Sequence, residues 1–130
     1  MLENYADLFK ISNRFNSEII WGANFSASLS DGWAGAQFLV RLLPNMDGVD
    51  NAQGWESATE NLYSSFNAND ARLPVVLKRS VTYQDGTIKQ FAEPYVFKYW
   101  DQEAEPKGNS TDAIFPAMRT AEMYLIKLRH

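Results

Sequence analysis

The chain has 130 residues, a length that suits one domain rather than two. Hydrophobic residues make up 45% of it and aromatic residues 14%, a composition that excludes a disordered chain. The formal net charge is -4 and the pI is near 4.9. We therefore predict that nucleic acid is not a partner, because binding phosphates requires a basic surface.

Several kinds of chemistry lack the residues they need. The chain has no cysteine, which excludes disulfides, thiolate metal sites and cysteine nucleophiles. Its one histidine is His130, at the end of the sequence, where a Ser-His-Asp triad could not keep its geometry. The carboxylates are scattered, so their spacing selects no acid/base pair for glycoside hydrolysis. We predict no enzymatic activity, no cofactor and no metal site, with a weak calcium site on oxygen ligands left open.

The first half of the chain alternates periodic segments with loops. Apolar residues recur at helical spacing from Leu2 to Phe9 and predict an opening helix. Glu18 to Phe25 and Phe38 to Leu43 are rich in β-favouring residues and predict two strands. Residues 26–35 and 44–54 have the Gly, Ser, Asp and Pro content of loops.

The next segment predicts a short helix followed by strands. Ser57 or Thr59 can cap a helix that carries Leu62 and Phe66 on one face. Four β-favouring runs follow, at Val75–Leu77, Val81–Tyr83, Thr87–Phe91 and Tyr95–Tyr99. Asp85-Gly86 lies between the second and third runs and predicts a hairpin with a type I′ turn. Residues 102–110 form a predicted surface loop.

The last segment predicts a closing helix. Asp112 is a suitable N-cap and Pro116 suits a first turn, so we expect the helix to run from about Pro116 to the chain end. Its apolar stripe consists of Met118, Ala121, Leu125 and Leu128. Glu122 falls within this apolar arc and would need a cation, for which Arg119 is the nearest candidate. The predicted fold class is α+β, loop-rich, with short strands and a few helices.

Four stretches of the sequence resemble motifs of one family, in the family's order. They are Asn16-Ser17-Glu18-Ile19-Ile20-Trp21; Gly54-Trp55 with Leu62–Phe66 and Asp70-Ala71-Arg72; Lys98-Tyr99-Trp100-Asp101; and Arg119, Ala121, Glu122, Tyr124, Leu125 and Ile126. The last looks like the R-x-A-E-x-x-L-(I/M) signature of the SusD/RagB family, which comprises nutrient-binding lipoproteins of Bacteroidetes outer membranes. The chain therefore resembles a SusD-like protein along nearly its whole length.

The resemblance implies a function and a location. It implies non-enzymatic capture of an oligosaccharide or other nutrient at the outer-membrane surface, and its delivery to a TonB-dependent, SusC-like transporter. Residues 1–130 would be the C-terminal part of a mostly helical fold with tetratricopeptide-like hairpins, truncated at both ends and attached to the membrane only through the parent protein's lipid anchor. A scaffolding or protein-docking role, with the ligand site elsewhere, is the alternative.

Site residues follow from residue type and from the motifs. Sugars are gripped by flat aromatic rings with polar edges, so tryptophans are the first candidates. Trp33 lies in a loop-like segment and Trp100 borders another, and we take both as ligand-binding candidates. Packing is the expectation for Trp21 and Trp55. Structural roles are predicted for the motif residues Glu18, Trp55, Asp70, Arg72, Lys98, Tyr99, Arg119 and Glu122.

The closing helix also differs from the family pattern. The pattern continues past Ile126 with an Ala-Glu-Ala-like segment, whereas this chain has Lys127-Leu128-Arg129-His130. The helix would then carry an apolar stripe without its partner helices. We expect the isolated chain to be marginally stable or to associate through that face.

Overall fold

The computed structural model describes residues 2–26, 37–102 and 111–129. The described elements are 3₁₀ helices Tyr5–Phe9 and Ile11–Asn13, strand β1 Ile19–Asn24, helices α1 Gln37–Arg41, α2 Glu60–Ser64 and α3 Leu73–Val76, strands β2 Leu77–Thr82, β3 Ile88–Val96 and β4 Ile114–Arg119, and helix α4 Thr120–Lys127. The fold class is α+β, as predicted. The predicted opening helix is present, but it is 3₁₀, begins at Tyr5 rather than Leu2, and is followed by a second short 3₁₀ helix.

Two antiparallel strand pairs carry the described β-structure. β1 pairs with β4, and β2 pairs with β3. Each pair contains a register irregularity: next to Trp21 in the first, and between Lys78 and Ser80 in the second. The β1–β4 pair therefore joins segments that lie about ninety residues apart along the chain, whereas β2–β3 is a local hairpin.

Two groups of buried side chains form the core. The first consists of Leu43, Met46, Ala52, Val81 and Phe97, with Trp100 among the half-buried residues that pack on it. The second consists of Leu39 and Ala113, with Phe25, Tyr99 and Phe115 packed against them. Because Leu39 and Leu43 belong to different groups, α1 and the turn after it lie between the two parts of the core.

The predicted strand at Phe38–Leu43 is wrong, since this segment begins with helix α1. Leu39, Val40 and Leu43 are all buried, which matches one face of a helix. Arg41 Nη2 donates to Gln37 Oε1 at 2.9 Å, a contact between residues four apart that a helix permits. β-branched and aromatic content alone could not distinguish these alternatives for so short an apolar run.

The start of the closing helix was also predicted wrongly. Ile114–Arg119 is strand β4, and the helix begins at Thr120. The backbone of β1 supplies the partner that makes this segment extended, with Gly22 opposite Pro116. Thr120 N and Oγ1 both donate to the Glu18 carbonyl, at 2.9 and 3.3 Å, and this fixes the point where the strand becomes a helix. Asp112 is therefore not its N-cap.

The hairpin was predicted correctly, but its turn type and limits were not. Gly86 has φ of +84° whereas Asp85 has no positive φ, so a type I′ turn is excluded. Asp85 Oδ1 instead accepts from Thr87 N at 2.8 Å. The two runs Thr87–Phe91 and Tyr95–Tyr99 contribute to one long strand, β3, and Val75–Val76 belongs to helix α3. Pro94 is tolerated because it lies in the irregular stretch between Gln90 and Tyr95, where the β2–β3 pairing is interrupted and its missing N–H breaks no paired position.

Candidate functional site

Side chains from distant parts of the chain meet around the Tyr5 ring. Tyr5 packs edge-on to Phe9, with ring centroids 5.3 Å apart. Burial raises the pKa of the Tyr5 phenol, and the neighbouring Arg119 and Arg72 guanidinium groups oppose that rise. Arg119 Nε lies 4.0 Å from Glu122 Oε1. Two of the motifs, those of Arg72 and Arg119, therefore converge on the N-terminal 3₁₀ helix.

Lys98 and Tyr99 extend this cluster. The Lys98 ammonium lies 5.1 Å from the Phe9 ring centroid and 5.2 Å from that of Tyr99. Burial lowers the pKa of Lys98, Arg119 lowers it further, and Glu122 raises it. The Tyr99 ring packs on Phe9, at 5.8 Å between centroids. These contacts join the segment after β3 to the start of the chain.

Asp70 and Arg72 form a two-point ion pair. Arg72 Nε and Nη2 donate to the Asp70 carboxylate at 2.9 and 2.6 Å. These hydrogen bonds, with one from the Arg72 backbone, hold the pKa of Asp70 to about 2. The pair closes the turn that leads into α3.

Glu18 is a buried anchor at the end of β1. Its carboxylate accepts from the Leu2 backbone N–H, and its own N–H donates to Asn16 Oδ1 at 3.0 Å. Since its carbonyl accepts from Thr120, Glu18 connects the chain start, β1 and α4. Glu122 itself is half exposed, with 44% of its side chain accessible, so its predicted position in a buried arc is wrong.

A cleft of about 230 Å³ lies beside this cluster. We call it the Trp100 cleft. Its walls come from the N-terminal 3₁₀ helix, α3, β2 and the segment after β3. The lining residues are Ala6, Phe9, Lys10, Pro74, Val75, Lys78, Phe97, Lys98, Trp100, Asp101 and Gln102. Aromatic walls with a few polar groups are typical of a small-ligand site.

Of the two candidate tryptophans, the structure places one. Trp100 is half buried, packs on Phe97 at 5.5 Å between centroids, and lines the cleft. Its indole Nε1 is buried and has no hydrogen-bond acceptor in the part of the chain that the structure describes. Trp33 lies outside the described residues, so its candidacy stays a prediction.

Lys78 is a charged cleft residue that the sequence analysis did not identify as a site candidate. Its ammonium lies 5.5 Å from the Phe97 ring centroid and 5.7 Å from that of Trp100. Burial lowers its pKa, and among the described residues no charged group offsets that effect. A lysine alternating along a β-strand usually faces solvent, so only the tertiary packing identifies this one.

Trp21 and Trp55 were wrongly expected to be packing residues. Trp21 is 64% exposed and Trp55 is 54% exposed. Trp21 lines a shallow cleft with the exposed Phe15 and Ile20. The Trp55 ring instead lies under the Arg41 guanidinium, whose carbon is 4.8 Å from the ring centroid. Strand pattern alone did not reveal that β1 turns Trp21 outward.

The closing helix exposes its apolar side chains. Tyr124 is 56% exposed, Leu125 60% and Leu128 83%. Trp21 and Ile20, on the strand that pairs with β4, are exposed as well, so several large apolar side chains are accessible on these two segments. In single soluble domains such surfaces commonly mark contacts with other protein segments.

Within residues 2–26, 37–102 and 111–129, no cluster of three or more histidine, aspartate or glutamate side chains could hold a metal ion. In the same ranges, no helix is long and apolar enough to cross a bilayer.

The fold of this chain is similar to that of part of a solved structure. A SusD superfamily protein from Parabacteroides distasonis superposes on 97% of this chain with a TM-score of 0.75 and 17% sequence identity. The fold is that of part of a SusD superfamily protein. The chain spans 29% of the length of that protein. No protein-family model matches the sequence, and no curated protein matches it.

The SusD-like fold agrees with the resemblance read from the motifs. At 17% identity the likeness concerns the fold alone, so it assigns no residue a function. The Trp100 cleft and the exposed surface around Trp21 are features of this chain's own geometry. They supply the two candidate sites for a SusD-like segment.

Proposed function

We propose that the chain is part of a non-enzymatic, nutrient-binding protein that captures oligosaccharide at the bacterial outer-membrane surface. The observation that carries this proposal is the SusD-like fold over 97% of the chain. In this proposal residues 1–130 are a C-terminal part of a larger SusD/RagB-like domain in a lipid-anchored protein. The bound nutrient passes to a TonB-dependent, SusC-like transporter.

The Trp100 cleft is the proposed contact with the ligand. The half-buried Trp100 ring can stack on the C–H face of a sugar ring, and the lining residues Gln102 and Asp101 have polar side chains that suit hydroxyl groups. Its volume of about 230 Å³ is below the roughly 300–1,000 Å³ of pockets for drug-sized ligands. The cleft therefore suits one ring of an oligosaccharide rather than several.

Calorimetric titration of the full chain with a panel of oligosaccharides tests this proposal. Trp100→Leu removes the aromatic face and keeps apolar volume, and Trp33→Ala tests the second candidate. Trp55→Leu is the matched control, because Trp55 does not line the cleft. We expect weaker binding in Trp100→Leu and no change in the control. Failure of every sugar to bind would overturn the proposal.

Protein docking is the second candidate function, and the exposed apolar surface favours it. Here the segment would contact the transporter or other parts of a SusD-like protein through Trp21, Leu125 and their neighbours. Trp21→Glu and Leu125→Glu should then weaken co-purification with a co-expressed SusC-like transporter, with sugar affinity unchanged. Retained co-purification in both variants would contradict docking through this surface.

A further inference from the structure

The charged residues of the Trp100 cleft differ in whether an opposite charge or a hydrogen-bond donor lies beside them. Of its four charged residues, Lys10 pairs with Asp7 at 3.3 Å, and Asp101 Oδ2 accepts from the Ile11 backbone N–H at 2.7 Å. Lys78 and Lys98 face aromatic rings instead. In the described parts of the chain, no carboxylate lies within ion-pair distance of either ammonium.

The two lysines differ in their electrostatic surroundings. Lys98 lies near both Arg119 and Glu122, whose effects on it oppose each other. For Lys78, burial lowers the pKa, and no charged group within residues 2–26, 37–102 and 111–129 opposes it. The faces of Phe97 and Trp100 offset only part of the lost hydration of its ammonium. A bound anion would supply the remaining stabilisation of the charged ammonium group.

We propose that the Trp100 cleft binds an anionic sugar ring, with Lys78 as the direct partner of its carboxylate or sulfate group. Lys98, which also lines this cleft, adds a second positive charge. Trp100, the half-buried aromatic ring of the cleft, offers the apolar face against which the sugar ring lies. This inference rests on the proposed function and narrows its substrate to acidic saccharides.

The chemistry favours a sugar over a free anion. A free anion would be fully hydrated and would gain little from the apolar part of the cleft lining. A sugar acid presents one charged substituent on a ring with apolar faces, which matches a cleft that holds two ammonium groups and the half-buried Trp100 ring. The overall charge of -4 does not oppose this, since short-range contacts within a cleft are less screened than distant surface charges.

The test compares ligands of one skeleton on the full chain. The probes are trigalacturonate, its neutral methyl ester, a sulfated galactose trimer and inorganic sulfate, each titrated by calorimetry at low salt. We expect trigalacturonate or the sulfated trimer to bind at least about tenfold more tightly than the neutral ester, as a charge-assisted contact requires. Inorganic sulfate should bind far more weakly than either.

Lys78→Met is the decisive variant, because methionine keeps the packing on Phe97 and Trp100 and removes the charge. It should lower affinity for the anionic trimer by at least about tenfold and leave the neutral ester unchanged. Lys127→Met is the matched control, since Lys127 is exposed on α4 and should have no effect. Thermal melting of each variant verifies that it is folded.

The possible results separate this inference from the broader proposal. Equal affinity for acid and ester, or an unaffected Lys78→Met, would overturn the inference and leave sugar binding intact. Inorganic sulfate binding as tightly as the trimer would also overturn it. No binding of any saccharide would overturn both.

Discussion

Replacing Gly22 by alanine tests whether β1 and β4 approach as closely as the structure indicates. Gly22 lies opposite Pro116, next to the register irregularity. A Cβ at this position would meet the Phe115 carbonyl oxygen at 2.8 Å and two Ile114 side-chain carbons at 3.1 and 3.2 Å. The first distance is to backbone, so the strands themselves would have to move apart.

The expected magnitude follows from two opposing effects. Glycine to alanine without strain would stabilise the fold by about 0.4–1 kcal/mol, by restricting the unfolded chain. Overpacking that forces backbone shifts costs about 1–3 kcal/mol. We expect the steric effect to dominate and the free energy of unfolding to fall by about 1–2 kcal/mol, which lowers Tm by roughly 4–8 °C for a chain of this size.

Urea unfolding followed by tryptophan fluorescence measures this change. A loss of about 1–2 kcal/mol should lower the urea midpoint by roughly 0.5–1 M at an unchanged slope. Ala23→Ser is the control, because Ala23 is exposed on the same strand and should change stability by less than about 0.5 kcal/mol. Unchanged or increased stability in Gly22→Ala would refute the close approach of the two strands.

Three further predictions concern single contacts. Asp70→Asn should destabilise the fold at neutral pH, and this effect should disappear as pH falls from about 4 to 2. The reason is that the folded-state pKa of Asp70 is depressed to about 2, and the Arg72 contact contributes only while the carboxylate is charged. Urea midpoints of both proteins across this range measure the effect, and a difference between them that stays constant with pH would contradict the prediction. Lys78→Met should not lower Tm at pH 7. Because burial depresses the folded-state pKa of Lys78, the wild type should gain stability relative to the variant as pH rises towards 10. A lower Tm of the variant at pH 7 would contradict this prediction. Thr59→Ala should cost about 1 kcal/mol by removing the oxygen that accepts from Leu62 N, whereas Thr59→Ser should keep most of the stability in the same unfolding assay.

Local sequence signals predicted the elements whose partners are near in the chain. Asp85-Gly86 marked the β2–β3 hairpin because the strands adjoin the turn, although the turn geometry depended on the Thr87 contact. Thr59 marked the start of α2 because a cap acts within one turn. In both cases the deciding interaction spans only a few residues.

The candidate site was only partly predictable. Trp100 was singled out by its place beside a polar segment, and it does line the cleft. Lys78 was missed because its importance comes from burial against Phe97 and Trp100, which the strand pattern does not encode. The exposure of Trp21 and Trp55 was missed for the same reason.

The sequence by itself determined the fold class, the hairpin, the α2 cap and the motifs that resemble the SusD family. The tertiary structure decided whether Phe38–Leu43 was strand or helix, where β4 ended and α4 began, and which side chains meet in the Trp100 cleft. Short apolar runs satisfy both helix and strand, so distant partners choose between them. For Ile114–Arg119 that partner is β1, whose edge offered backbone hydrogen bonds that a helix starting at Pro116 would have left unmade.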